Sequence, residues 1–257
     1  ALRHQPAQVD PAVFARVSKT AGIRRAKEFY ARGQVVDARR EWYHVGKVFS
    51  REELIAQAVM AREMEWYFPA IRGISLAQHW DDLDIRFPMA YQQPIKAQAA
   101  ARQLNSTWVY AITRQESAFM ADARSHAGAT GLMQLMPATA RETARRYKIS
   151  LNHPNELLLP ERNIALGTAY LSQLNSMFRG NRVLASAAYN AGPGRVRQWT
   201  REMPTIPADI WIETIPFDET RTYVQSVLSY AVIYGQKMGI RQPVMEQHER
   251  YLEAYRP

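Results

Sequence analysis

The chain of 257 residues is 47% hydrophobic and 22% charged, the balance of an ordinary globular protein, which excludes wholesale disorder and fibrous repeats. Its length suits more than one compact domain and fewer than three. With no cysteine, disulfide scaffolds, Cys-ligated zinc and thiol chemistry are excluded. The formal charge is +9, from 33 Lys and Arg against 24 Asp and Glu, and such an excess attracts polyanions. The basic residues are nevertheless dispersed. Their densest cluster, Arg141, Arg145, Arg146 and Lys148, lies beside Glu142 on a helix-like stretch and reads as a solvated face. No nucleic-acid motif is present, so no nucleic-acid partner is expected. No apolar run approaches the ~20 residues that span a bilayer, the longest being of the kind Tyr230–Tyr234, so no transmembrane segment is expected. The opening Ala1-Leu-Arg-His-Gln-Pro lacks a basic-then-apolar signal pattern. Either a targeting segment has been removed or the chain is a piece of a longer one.

Residues 10–85 read as short helices joined by brief turns: Val13–Ala31, Val35–Phe49, Arg51–Trp66 and Ala70–Trp80. Phe29, Tyr30, Gly33, Ala38 and Trp42 follow a helix–turn–helix layout with small and aromatic residues at interlocking offsets. So few helices cannot bury their apolar faces alone. The stretch is therefore either a scaffold that shapes a groove or a plain helical support. Pro88 and Pro94 bracket Met89–Gln93 and mark a junction, because proline ends helices and stiffens connections.

Residues 88–257 continue with helices at Ile95–Leu104, Thr107–Phe119, Pro137–Tyr147, Pro160–Phe178, Asn181–Ala191 and Glu219–Met238. Pro137 and Pro160 suit first-turn positions, and Gly192 before Pro193 is a helix stop. No repeated period-two Val/Ile/Thr runs suggest a large sheet, so the fold is mainly α, with room for a small β-hairpin in Ser125–Met136.

On the helix around residues 108–119, Trp108, Val109, Ile112 and Phe119 form the core-facing stripe, and Glu116 falls on that same stripe. Two outcomes are open. An unpaired carboxyl in apolar surroundings has a raised pKa and stays protonated, as a general acid near neutral pH must be. Alternatively Arg114 or another arginine pairs with it, or the helix end lifts it into water. The next stretch, Ser125 to Pro137, holds Gly128 and Gly131, where backbone can approach a ligand closely, with Gln134 and Met136 alternating beyond them. A planar amide beside a flexible apolar surface suits a sugar carrying an N-acetyl group. Ala187–Pro193 packs small residues around Tyr189 and Asn190 at a helix end. Tyr189 either anchors the core by its ring or offers its hydroxyl to a reacting group.

Glu116-Ser-Ala118, Gly131-Leu-Met-Gln134 and Ala188-Tyr-Asn-Ala-Gly192, in that order, resemble the signature motifs of the soluble lytic transglycosylases, bacterial cell-wall enzymes with a goose-lysozyme-like catalytic domain. Glu213-Thr-Ile-Pro-Phe217, Glu219-Thr-Arg221 and Tyr223-Val224 extend the likeness to the large periplasmic soluble type. It is strong over residues 88–240 and looser over residues 10–85, which resemble that enzyme's linker and the end of its helical superhelix. The resemblance implies a lysozyme-like catalytic domain over 88–257 with a small β-hairpin, preceded by a short α-superhelical or linker domain over 1–87. Most of the upstream superhelix would be missing. The implied reaction is cleavage of the MurNAc–GlcNAc β-1,4 bond of peptidoglycan in the periplasm, with no cofactor.

A lysozyme-like retaining enzyme needs a second carboxylate ~5–5.5 Å from the acid. The nearest in sequence, Asp122, falls in a turn past the helix end, and no other Asp or Glu precedes Glu142. One carboxyl in both roles fits better. Glu116 protonates the glycosidic oxygen, then takes the proton of the sugar's own C6 hydroxyl, while the 2-acetamido group supplies the anion's part. A 1,6-anhydro-N-acetylmuramic acid end results. By motif match, Ser125 and Tyr189 orient Glu116 or the acetamido group by hydrogen bonds, and Gln134, Met136 and Asn190 line the sugar subsites. Glu213 either binds substrate, through the peptide stem or a sugar, or is a surface carboxylate at a helix start. The basic charge would gather stem peptides, which carry carboxylates. No metal site is expected, because His4, His44, His79, His126, His153 and His248 lack ligand spacing. Glycan strands are the expected partner, with other cell-wall enzymes as further candidates. Three readings compete with the transglycosylase: a hydrolase of the same bond, a non-catalytic peptidoglycan-binding module, and a basic nucleic-acid-binding protein.

Overall fold

A computed structural model describes residues 3–255, which form fourteen α-helices and one pair of two-residue strands. Ala1 and Leu2 of the opening segment, and Arg256 and Pro257, lie outside the described residues. The chain divides into two compact units, one up to Ala90 and one from Tyr91.

The first unit comprises α1 (Pro11–Lys19), α2 (Ala21–Ala31), α3 (Val35–Gly46), α4 (Arg51–Glu63), α5 (Tyr67–Leu76) and α6 (Leu83–Arg86). The single helix expected over 13–31 is broken at Thr20, whose backbone is extended. Tertiary packing decides this: α1 lies on α4 while α2 pairs with α3, two directions that one straight rod cannot serve. The fourth expected helix starts earlier, at Tyr67, because Pro69 is tolerated in a first turn. Aromatic rings fill the core, with Trp42 edge-on to Trp66 at 5.1 Å and Tyr30 on Trp66 at 4.7 Å. The short α6, missed in the sequence, exists because buried Asp82 caps it. That carboxylate accepts from the N–H of Ile85 and from that of Ala7, both at 2.8 Å.

The second unit is built around α8 (Ser106–Ser117), buried from Thr107 to Thr113 and packed on α7 (Gln92–Ala101) and α14 (Asp218–Met238). Around these lie α9 (Pro137–Tyr147), α10 (Pro160–Met177) and α11 (Arg182–Ala191). Pro137 and Pro160 occupy first-turn positions, and Asn181 caps α11 by accepting from the N–H groups of Val183 and Leu184. Gly192, at φ 90°, ends α11 and at once caps α12 (Pro193–Trp199), so the expected stop is a corner between two helices. The sequence reading also missed α13 (Ala208–Thr214) and the antiparallel pair of β1 (Ile206–Pro207) with β2 (Tyr251–Leu252). The hairpin expected in 125–136 is reduced to the bridges Arg124–Thr130 and Thr130–Leu135. No described helix is long and apolar enough to cross a membrane.

The segment after α14 is tied down by a buried ion pair. Arg182 donates from Nε and Nη2 to the two oxygens of Glu249, each at 2.7 Å, and Glu249 also accepts the N–H groups of Arg182 and Glu246. Removing one partner leaves a buried charge, whereas removing both leaves none. Arg182→Met should therefore cost about 3–5 kcal/mol, and Arg182→Met with Glu249→Leu distinctly less than that single change. Denaturant unfolding of the three proteins reads the difference.

Candidate active site

Glu116 lies in the last turn of α8, where a helix's negative end disfavours a carboxylate. Two non-glycine residues with left-handed backbone follow, Ala118 (φ 46°) and Phe119 (φ 64°), a sparsely populated conformation. Ser117 stabilises the corner by accepting from the N–H of Phe119 at 3.1 Å while donating to the Leu132 carbonyl at 2.7 Å. The helix end is thereby fastened to the glycine-containing loop.

Three side chains from three helices hold that loop. Ser117 is the first. Asn163 of α10, fully buried, accepts from the N–H of Met133 at 2.7 Å and donates to the carbonyls of Thr130 and Leu157 at 2.9 Å. Tyr189 of α11 donates its hydroxyl to the Met133 carbonyl at 2.7 Å. Gly131 (φ 84°) passes so close to Asn163 that a Cβ would stand 2.2 Å from Nδ2, and Gly167 of α10 likewise makes room for the Met133 side chain.

The result is an open cleft of about 540 Å³ lined by Gln115, Glu116, Ser125, Gln134, Asn190, Asp218, Glu219, Thr222 and Tyr223. Of the residues singled out in the sequence, the cleft gathers Glu116, Ser125, Gln134 and Asn190. Met136, Tyr189 and Glu213 are outside its lining. Ser125 accepts from the N–H of Ala129, and Gln134 donates to the carbonyls of Ala123 and Gly131. Neither serves Glu116, nor does Tyr189. Met136 is exposed at the start of α9. Glu213 is exposed in the last turn of α13, not at a helix start, and accepts from Gln225 at 2.8 Å.

The hydroxyl that serves Glu116 belongs to Tyr223 of α14, which donates to Oε1 at 2.6 Å. Among the described residues no arginine pairs with Glu116, and Arg114 instead lies over the Tyr230 ring at 5.4 Å. The Glu116 carboxyl is half-buried at the cleft floor. Desolvation pushes its pKa up to about 8, with the nearby Glu219 charge adding to the rise and the Tyr223 hydrogen bond opposing it. Burial also holds the Tyr223 phenol well above its usual range, so Tyr223 remains a donor.

Besides Glu116 the cleft is lined by two carboxylates, Asp218 and Glu219, and the sequence reading did not place either of them beside the acid. Glu219 accepts from Asn190 Nδ2 at 3.2 Å, and Asn190 is itself fixed by the Thr220 hydroxyl at 2.7 Å. In the sequence, Glu219 reads as an acid complementing a helix N-terminus. The available signal for Tyr223 is its place on the buried stripe Thr220, Val224 and Val227, where a phenol needs an acceptor. Among the described residues no three His, Asp or Glu side chains could hold a metal ion.

Residues 93–212 match the family described as the transglycosylase SLT domain, residues 16–83 the soluble lytic murein transglycosylase L domain, and residues 214–243 the soluble lytic transglycosylase helical domain. The chain belongs to the soluble lytic transglycosylase family, with the lysozyme-like catalytic fold of its members. It is 40% identical over 214 residues to the soluble lytic murein transglycosylases of Escherichia coli K12 and Salmonella typhimurium, covering 82% of this chain and 33% of each relative. The lytic transglycosylase Slt of Pseudomonas aeruginosa, solved as an inactive mutant with one glutamate changed to glutamine, is 62% identical with a TM-score of 0.94, over 98% of this chain and 41% of that one. The 70-kDa soluble lytic transglycosylase of Escherichia coli is 37% identical with a TM-score of 0.88, over 97% and 40%. A complex of the 70-kDa enzyme with bulgecin A matches comparably. The chain spans about a third of the length of the curated relatives.

The environment of Glu116 is testable by titration. Tyr223→Phe deletes the one hydrogen bond favouring the ionised form and should raise the Glu116 pKa further, whereas Glu219→Gln should lower it; carboxyl NMR of the folded variants reads both. Stability follows with a definite sign. A carboxyl whose folded pKa stands above the ordinary 4.5 loses stability as pH rises from that value through about 8. Glu116→Gln should match the parent near pH 4 and exceed it at pH 9, by on the order of 2 kcal/mol after allowing for water in the cleft.

Proposed function

We propose that this protein is a peptidoglycan lytic transglycosylase, with residues 88–257 as the catalytic part and residues 1–87 as its helical linker. The single observation carrying the proposal is the Glu116 carboxyl, desolvated and, among the described residues, paired with no cation, lining an open cleft of about 540 Å³. The family relationship supports the substrate. The inactive Glu→Gln form of the Pseudomonas aeruginosa relative supports a glutamate as the essential acid.

In this reading Glu116 protonates the bridging oxygen between MurNAc C1 and GlcNAc C4, and the C1–O bond breaks. The 2-acetamido oxygen covers the positive charge developing at C1. The C6 oxygen then bonds to C1 as its hydroxyl proton passes to the Glu116 carboxylate, which restores the acid. No water is consumed, and the MurNAc end leaves as the 1,6-anhydro sugar. Tyr223 holds Oε1 by donation, which keeps the carboxyl in one orientation through both proton transfers. Ser125, Gln134 and Asn190 bind the sugars from the cleft wall, and Tyr189 acts behind it by fixing Met133. Met136, exposed beside the loop, is a flexible apolar contact for a glycan. Glu213 is kept as a peptide-stem contact at greater distance. We place the reaction in the periplasm, with glycan strands as substrate and other cell-wall enzymes as candidate partners. A basic nucleic-acid-binding role has no counterpart in an acidic cleft.

The hydrolytic reading gains one observation, Glu219, a further carboxylate in the same cleft. Product mass separates the two. Mass spectrometry of muropeptides released from purified sacculi should show ends one water lighter than reducing sugars. Reducing ends alone would establish the hydrolase. Glu116→Gln should fold normally and lose about 10³-fold in turnover or more, while Tyr189→Phe should lose less. A modest loss for Glu116→Gln would remove the assignment. Turnover by the parent should fall as pH rises through about 8, where the acid ionises.

A further inference from the structure

Beside the cleft, where α11 turns into α12 and α14 begins, the structure holds a cation, Arg195, with no carboxylate partner among the described residues. Arg195 of α12 sits over the ring of Phe217 with its guanidinium carbon 4.9 Å from the ring centre, and Nη1 donates to the Ala191 carbonyl at 3.3 Å. Phe217 is 41% exposed and stands edge-on to Trp199 at 5.4 Å, which fixes the ring that carries the cation. Phe217 immediately precedes the cleft residues Asp218 and Glu219, and Ala191 immediately follows the cleft residue Asn190. The cation is thus held next to the cleft by residues adjoining its lining on α11 and α14.

The neighbouring carboxylates do not occupy it. Asp218 pairs with Arg221 at 3.3 Å, and Glu219 is held by Asn190. Arg195 is an exposed residue whose guanidinium offers further donors beyond the Ala191 bond, in a planar fork suited to a carboxylate. A side chain already stacked on an aromatic face gives up little freedom on binding, so the contact costs less than one made by a loose surface arginine.

We propose that Arg195, carried on the Phe217–Trp199 pair, is an anchor for the carboxylates of the peptide stem and makes the enzyme favour peptide-bearing over bare glycan. The proposal rests on the peptidoglycan reading above. It extends that reading from the sugar at Glu116 to the peptide that hangs from it.

The test compares kcat/KM on one preparation of glycan strands before and after an amidase has removed the peptides. Arg195→Ala should lose about threefold to tenfold on the peptide-bearing strands and markedly less on the stripped ones, with Arg195→Lys between it and the parent. Arg145→Ala, which removes the same charge from an exposed face of α9, controls for long-range attraction and should show no such split. Equal losses on both substrates, no loss on either, or the same split in Arg145→Ala would overturn the anchor. Binding of soluble peptide-bearing fragments to Glu116→Gln, with and without Arg195→Ala, reads the contact independently of turnover. Unchanged affinity there overturns it even if the parent makes anhydro ends, whereas weakened affinity supports it even if the parent makes reducing ends.

Discussion

A carboxyl set against the buried junction of two helices is the constraint around which the second unit is arranged. Glu116 ends α8 on the face that packs on α14, so burying the helix's apolar stripe also draws the acid out of water. Ionisation there is disfavoured by desolvation, by the helix's own C-terminal end and by Glu219. A single hydrogen bond from Tyr223 counters these terms without overcoming them. The same packing that holds the two helices together therefore supplies a proton donor near neutral pH.

A donor of this kind is useful only if a substrate can reach it, and the loop at 123–136 decides that. The loop is pinned rather than draped: Ser117, Asn163 and Tyr189 each bond to its backbone from a different helix. Its glycine at 131 is there because Asn163 leaves no volume for a side chain. The two left-handed residues after Glu116 turn the chain sharply into this loop, and that local strain is held by the Ser117 hydroxyl and by burial of Phe119 against Tyr110. Rigid walls on both sides of an open cleft are what positioning a polymeric sugar requires.

The first unit illustrates a different balance. Its helices are held together by the Trp42, Trp66 and Tyr30 cluster and by caps such as Asp82 and the Ser50–Glu53 box. Glu53 in that box is held below the ordinary carboxylate range, first by the Ser50 N–H and further by Arg16.

The local rules of the chain were enough to give a mainly helical protein and the ends of α9, α10 and α11, because proline, asparagine and glycine act on their own few residues. They were also enough to mark Glu116, since a carboxylate on an apolar stripe is anomalous whatever surrounds it. Which hydroxyl it meets was not legible. Tyr189 lies near it in the motif order, but its bond goes to Met133, while Tyr223, 107 residues away, makes the contact. Glu219 and Tyr223 stood in the sequence only as residues of a resembling motif, with nothing to place them beside Glu116. The break at Thr20 and the short strands at 206–207 and 251–252 belong to the same class. Hydrogen bonds and desolvation depend on where distant helices are brought together, and only close packing in three dimensions fixes that.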